Sequence, residues 1–151
     1  MFRDYGWAFP LFVAALLLAT VLKHQIPTPV PTPVVAAIEA QFPGASVRRV
    51  ETEHDGGRRV HEVTVRHRGA TFEVRVTPAG EVVEVERLIA YTELPPAVAQ
   101  AVESDHPEAV VDKVEEVSRG GRVVGYEVAF VGRSRPAAKV TFDPTGRIVS
   151  E

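Results

Sequence analysis

Two stretches of this 151-residue chain repeat one another's order of features, and that duplication restricts the fold more than any other property of the sequence. Pro107 corresponds to Pro43, Val111 to Val47, Val114 to Val50, and Gly120-Gly121 to Gly56-Gly57. Tyr126-Glu127-Val128 corresponds to His61-Glu62-Val63, and Pro144-x-Gly146 to Pro78-x-Gly80. The offset between the copies drifts only in turns, where insertions are tolerated. One supersecondary unit is therefore used twice. Either copy alone buries too little surface to be more than marginal, so the two are expected to form one domain of two halves around a shared core.

Each copy opens with a helical pattern. Val34, Ile38 and Phe42 recur every fourth residue until Pro43-Gly44, with Thr32 as the expected N-cap and Pro33 at the first helical position. Leu94, Val98 and Val102 do the same until Pro107. The period then changes to two. Val63 and Val65 alternate with Glu62, Thr64 and Arg66, while Phe72, Val74 and Val76 alternate with Thr71, Glu73, Arg75 and Thr77. In the second copy Tyr126, Val128 and Phe130, then Ala138, Val140 and Phe142, are expected to point inward. Asp55-Gly56-Gly57, Arg68-Gly69, Pro78-Ala79-Gly80, Gly120-Gly121 and Pro144-Thr145-Gly146 mark short turns, which join antiparallel neighbours. Val47/Val50 and Val111/Val114 are three apart, so a bulge is expected near Arg48-Arg49 and again near Asp112-Lys113. The predicted fold class is α+β: two αββββ repeats, over 34–89 and 90–151, with both helices on one face of antiparallel sheet.

What precedes the repeats has a different character. Residues 6–22, GWAFPLFVAALLLATVL, carry no charge and lie between Arg3-Asp4 and Lys23. At about 17 residues the run reaches the lower limit for crossing a bilayer as a helix, with Tyr5 and Trp7 at the position of an interfacial anchor. The segment 1–25 reads as an uncleaved transmembrane anchor. The second reading is a cleaved secretory signal, against which no small-x-small site follows the run, and the third is a buried helix. Residues 26–33, IPTPVPTP, form an extended proline-rich spacer. The direction of insertion is not fixed by charge, since Arg3 is offset by Asp4.

The second copy resembles the PepSY-like family, small extracytoplasmic modules related in fold to the β-lactamase inhibitor proteins. The resemblance rests on Leu94-Pro95-Pro96-Ala97-Val98, the stop at His106-Pro107-Glu108-Ala109, VEEVSRGGRVVGYEVAF over 114–130 and KVTFDPTGRIV over 139–149. The first copy matches less closely, with His61 where a tyrosine is usual. The resemblance implies an αββββ unit, secretion or membrane anchoring, no cofactor, and a role in binding, inhibiting or regulating another protein, a peptidase for some relatives. It transfers no catalytic residue.

The chemistry-bearing residues support no enzyme. Cysteine is absent, so disulfides, thiolate metal sites and a cysteine nucleophile are excluded. His61-Glu62 and His67 resemble a zinc motif, but on a strand the two histidines lie about 20 Å apart and cannot share an ion. Ser104-Asp105-His106 diverge around a helix end and cannot form a relay. Glu62, Glu73 and Glu127 fall on the face away from the helices, where they are expected to be solvated, without the burial that raises a carboxyl pKa. Seventeen basic residues against twenty acidic give a net charge of −3, and the arginines of the first copy are balanced by acids with no aromatic beside them, so no nucleic acid is expected. No small-molecule ligand or metal is expected either.

What remains is the outer sheet face. Arg66, Glu73, Arg75, Glu127 and Lys139 are its candidate partner-binding residues, beside a less polar patch of Ala129, Val131 and Ala137. The expected function is a membrane-anchored extracytoplasmic module, secreted if its first segment is cleaved, that binds a protein of the cell envelope. The alternative is a structural module of an envelope complex or a homodimer, acting through free sheet edges.

Overall fold

The computed structural model describes residues 30–131 and 138–150. The segment read as an anchor, residues 26–29 of the proline-rich spacer, and Ala137 lie outside the described residues. Among those described, no helix is long and apolar enough to cross a membrane.

The chain runs helix α1 (Thr32–Gln41), strands β1 (Ser46–Asp55), β2 (Arg58–His67), β3 (Ala70–Val76) and β4 (Val82–Leu88). A single 3₁₀ turn at Tyr91–Glu93 leads to α2 (Pro96–Asp105), β5 (Val111–Arg119), β6 (Arg122–Phe130), β7 (Lys139–Phe142) and β8 (Ile148–Ser150). All eight strands form one antiparallel sheet in the order β1 to β8. The two expected bulges are present, between Val47 and Arg49 and between Val111 and Lys113.

The two copies share local details. The Val34 amide donates to the Pro31 carbonyl as the Val98 amide does to Pro95, and the Phe42 and His106 amides close their helices on Ile38 and Val102. Each Pro-x-Gly turn lies against the first turn of its own helix. A Cβ on Gly80 would meet the Pro33 carbonyl oxygen at 2.7 Å, and one on Gly146 would meet that of Ala97 at 2.5 Å. In both turns the residue before the proline hydrogen-bonds the amide four residues on, through Thr77 Oγ1 to Glu81 and Asp143 Oδ1 to Arg147.

Three expectations are corrected. Pro31, which has no side-chain donor or acceptor, occupies the N-cap, and Thr32 is already helical with Pro33 behind it. Ala138 precedes β7 and is exposed, so the inward set of that strand is Val140 and Phe142 alone. The halves share a sheet but not a core. Val34, Ile38 and Phe42 of α1 pack on Val63, Val65, Val74 and Val76. Leu94, Val98 and Val102 pack on Val114, Tyr126, Val128, Val140 and Phe142. A ten-residue helix spans about 15 Å, too short to cover more than three or four strands at about 4.8 Å spacing, so each copy builds its own core under its own helix.

Candidate functional site

The helices cover one face of the sheet, and the strand register sets the residues of the other. Across the strands run Glu51, Glu62, Arg75 and Glu84, then Thr64, Glu73, Glu86 and Val117, then Leu88, Glu115, Glu127 and Thr141, and finally Lys113, Ala129 and Lys139. Arg66, Glu73, Arg75, Glu127 and Lys139 therefore share this open face. Glu73, Arg75, Glu127 and Lys139 belong to its central network, whereas Arg66 is exposed near the end of β2 and has no ion pair among the described residues.

The network stitches the copies together. Lys113 Nζ lies 2.9 Å from Glu115 and 3.5 Å from Glu73, linking β5 to β3. Arg75 reaches Glu84 and Asp55, each at 3.2 Å, and Arg119 closes on Glu84 at 2.6 Å from the other copy. Lys139 pairs with Glu127. A groove of about 500 Å³ runs between these groups, bordered by Arg75, Glu84, Val117, Arg119, Glu127 and Thr141.

Glutamates nevertheless stand directly opposite each other three times: Glu51 with Glu62, Glu73 with Glu86, and Glu115 with Glu127. Such pairs destabilise a sheet. Glu62 and Glu86 have no ion-pair partner among the described residues. Burial, followed by the charges of Glu115, Glu127 and Glu84, pushes the Glu86 carboxyl up to about 8, so it is largely protonated at neutral pH. Burial also raises Glu62, reinforced by Glu53, Glu73 and Glu51, and raises Glu115 against the pull of Lys113. Burial opposes the charges of Lys113 and Lys139, but their glutamate partners outweigh it and raise both.

This corrects the expectation of a solvated face. Glu115 is 2 % exposed and Glu84 6 %, because on a broad continuous sheet each long side chain is flanked by others on both neighbouring strands. Of the apolar patch expected there, Ala129 is buried between Lys113 and Lys139, Val131 lies exposed just beyond β6, and Ala137 lies outside the described residues. Oxygens of Glu73, Glu86 and Glu115 lie within 4.8 Å of one another, a donor set suited to a hard cation. Lys113 already bridges two of the three and Glu86 holds a proton, so a cation there competes with both.

Glu84, Glu86, Lys113, Glu115 and Arg119 were not singled out by sequence reasoning. The bulge at Asp112 leaves Lys113 and Glu115 on the outer parity, but nothing in their spacing reveals that β4 and β6 bury them, and the adjacent Val82-Val83 hides the parity of β4. His61 and His67 are held apart as expected, but His61 is not at a strand end. It is 4 % exposed, within hydrogen-bonding distance of Thr52 Oγ1 through Nδ1, and its Nε2 has no partner among the described residues. His67 packs edge-on against Phe42, and His106 caps α2 with its ring on Phe130.

The same architecture occurs in solved structures. A DUF2874 family protein from Bacteroides uniformis matches with a TM-score of 0.64 and 22 % identity, over 80 % of this chain and 86 % of that one. A BLIP-like protein from Bacteroides fragilis matches with a TM-score of 0.60 and 19 % identity, over 80 % and 84 %. A protein from Bacteroides eggerthii described as a candidate periplasmic protein gives 0.65 and 19 %, over 80 % and 86 %. The chain thus has a BLIP-like fold. No family model matches it, and no curated protein matches it in sequence.

Proposed function

We propose that this protein is a non-enzymatic docking module of the PepSY-like kind, held at the membrane by its apolar residues 6–22 with the two repeats outside the cytoplasm. Its open sheet face receives a protein partner that presents lysine or arginine side chains. The observation that carries this reading is the set of three opposed glutamate pairs with Glu86 left uncompensated at their centre. A face that met only water gains nothing from such an arrangement, whereas a cation supplied by a partner relieves the repulsion and releases the proton on Glu86. The groove beside it admits side chains, and the salt-bridged sheet is a rigid platform that needs little reorganisation to bind. Occlusion of the partner, inhibition included, is the mechanism such a surface offers, and a peptidase of the envelope is one partner class the PepSY-like resemblance supports. The periplasmic description of the Bacteroides eggerthii protein supports the same compartment.

The test is a pull-down of envelope proteins with the full chain and with Glu86→Lys, Glu127→Lys and Lys139→Glu variants. Reversal at Glu86 or Glu127 is expected to lower capture of a discrete partner at least about tenfold, as for a charge facing a charge across an interface. Capture unchanged by all three variants, each shown to be folded, removes the open face from consideration.

A further inference from the structure

We infer that two copies of this chain pair edge to edge through β1, in antiparallel register about a two-fold axis at Val50. This surface is separate from the open face. β1 is ten residues long, bonded to β2 on one side only, and exposed along most of its length. The opposite edge, β8, has only three residues. The duplication shows what such an edge accepts: in the second copy the counterpart of β1 is β5, and its equivalent edge is covered by β4 from Leu88↔Glu115 to Val85↔Ser118.

Charges along β1 are divided by sign, with Arg48 and Arg49 before Val50 and Glu51, Glu53 and Asp55 after it. Charge on an edge ordinarily guards against pairing, yet in this arrangement it selects one register. An axis at Arg48, Arg49, Glu51 or Glu53 sets that residue against itself, and an axis at Thr52 sets Glu51 against Glu53 of the other copy. Centred on Val50, the pairing places Arg49 opposite Glu51 twice, Arg48 opposite Thr52, and Val50 opposite Val50. The exposed Arg49–Glu51 pair within one chain, at 2.6 Å, is thereby exchanged for two pairs between chains. The bulge at Val47/Arg49 ends the ladder, which runs from Arg48 to Thr52 in each copy.

Beside this stretch an apolar groove opens between α1 and β1, lined by Val30, Val35, Ile38, Ala45, Val47 and Val50. Val35 and Val47 are 54 % and 53 % exposed, and no strand flanks the groove because β1 is the edge. Val50 and the Thr52 methyl of a second copy lie along its mouth in the Val50-centred register. The partner that fits is therefore another molecule of this chain.

The absence of cysteine makes the register directly testable. Opposed Cα atoms in an antiparallel pair are about 4.5–5.5 Å apart, within disulfide range, whereas positions two residues off the axis face each other across four residues, about 13 Å. Full-length chain in mild detergent, carrying Val50→Cys, Thr52→Cys or Glu53→Cys singly, is oxidised and run without reductant. A covalent dimer through Cys at 50 and none at 52 or 53 is expected, and association through residues 6–22 cannot produce that selectivity. Sedimentation of the cysteine-free chain is expected to show a concentration-dependent dimer. Arg49→Glu and Glu51→Arg each weaken it about tenfold or more, and the double exchange restores it. Equal crosslinking at 52 or 53, no crosslink at 50 in a folded variant, or a monomer at all concentrations overturns the pairing.

Discussion

Burial ties His61 and Glu86 to pH in opposite directions. Burial, then the Arg59 charge, lowers the His61 pKa below its ordinary 6.5, so the unfolded chain binds the extra proton as pH falls and stability is lost below about pH 6.5. Glu86 is raised to about 8, so the folded chain is the better proton binder between about pH 4.5 and 8. Its contribution is present at acid pH and lost as pH rises through 8. Below about pH 6.5 the two slopes oppose each other, so urea unfolding is expected to show stability falling most clearly as pH rises from about 6.5 to 8. Glu86→Gln is expected to add about 1–2 kcal/mol at pH 9, after discounting for solvent screening, and little at pH 5. His61→Tyr, which restores the residue type of Tyr126, is expected to remove much of the acid loss and leave pH 8 unchanged. A profile indifferent to both substitutions contradicts these assignments. The sequence does reveal His61 as a departure from its counterpart, since a histidine stands where the other copy has tyrosine. It does not reveal Glu86, because a carboxyl pKa depends on which strands lie beside it, and the β4–β5 pairing between the copies carries no motif.

At the scale of elements, the Pro-x-Gly turns are the joints that hold each helix on its sheet. Gly80 and Gly146 have φ values of 91° and 88°, and a Cβ on either would meet helix backbone. Gly56 also has positive φ, 54°, but nothing lies within 4 Å of its Cβ position. Gly80→Ala and Gly146→Ala are each expected to cost about 2–4 kcal/mol, combining strain with displacement of the helix, against about 1 kcal/mol for Gly56→Ala. Thermal unfolding of the three variants checks the ordering, and equal losses contradict it. Much at this scale is legible in the chain itself. Val34/Ile38/Phe42 and Leu94/Val98/Val102 mark the buried helical faces, and the three-residue spacing of valines marks both bulges. The same spacing places Val114 inward and so Lys113 and Glu115 outward, but their burial is not legible, because it depends on β4 and β6 lying on either side of β5. The Thr32 cap and the inward Ala138 fail because both lie at element boundaries, where a shift of one residue changes the role.

At the scale of the whole molecule, duplication supplies two small cores and one continuous sheet, and the sheet supplies the working surface. The helices occupy one side. The ion pairs of Lys113 with Glu73 and Arg119 with Glu84 cross between the copies on the open face, and Arg87 with Glu116 crosses on the helix side, so the open-face network also helps fix the two halves relative to each other. The proposed docking by this face rests on that arrangement of charge, and a photo-crosslinking amino acid placed in the native envelope tests it most directly. Probes replacing Thr64 and Thr141 on the open face are expected to yield covalent adducts with a second, distinct protein, and probes at Glu39 and Glu103 on the helices to yield no adduct with any protein other than a second copy of this chain. Adducts from the helix positions alone, or none from the open face of a folded, correctly located protein, contradict the docking role.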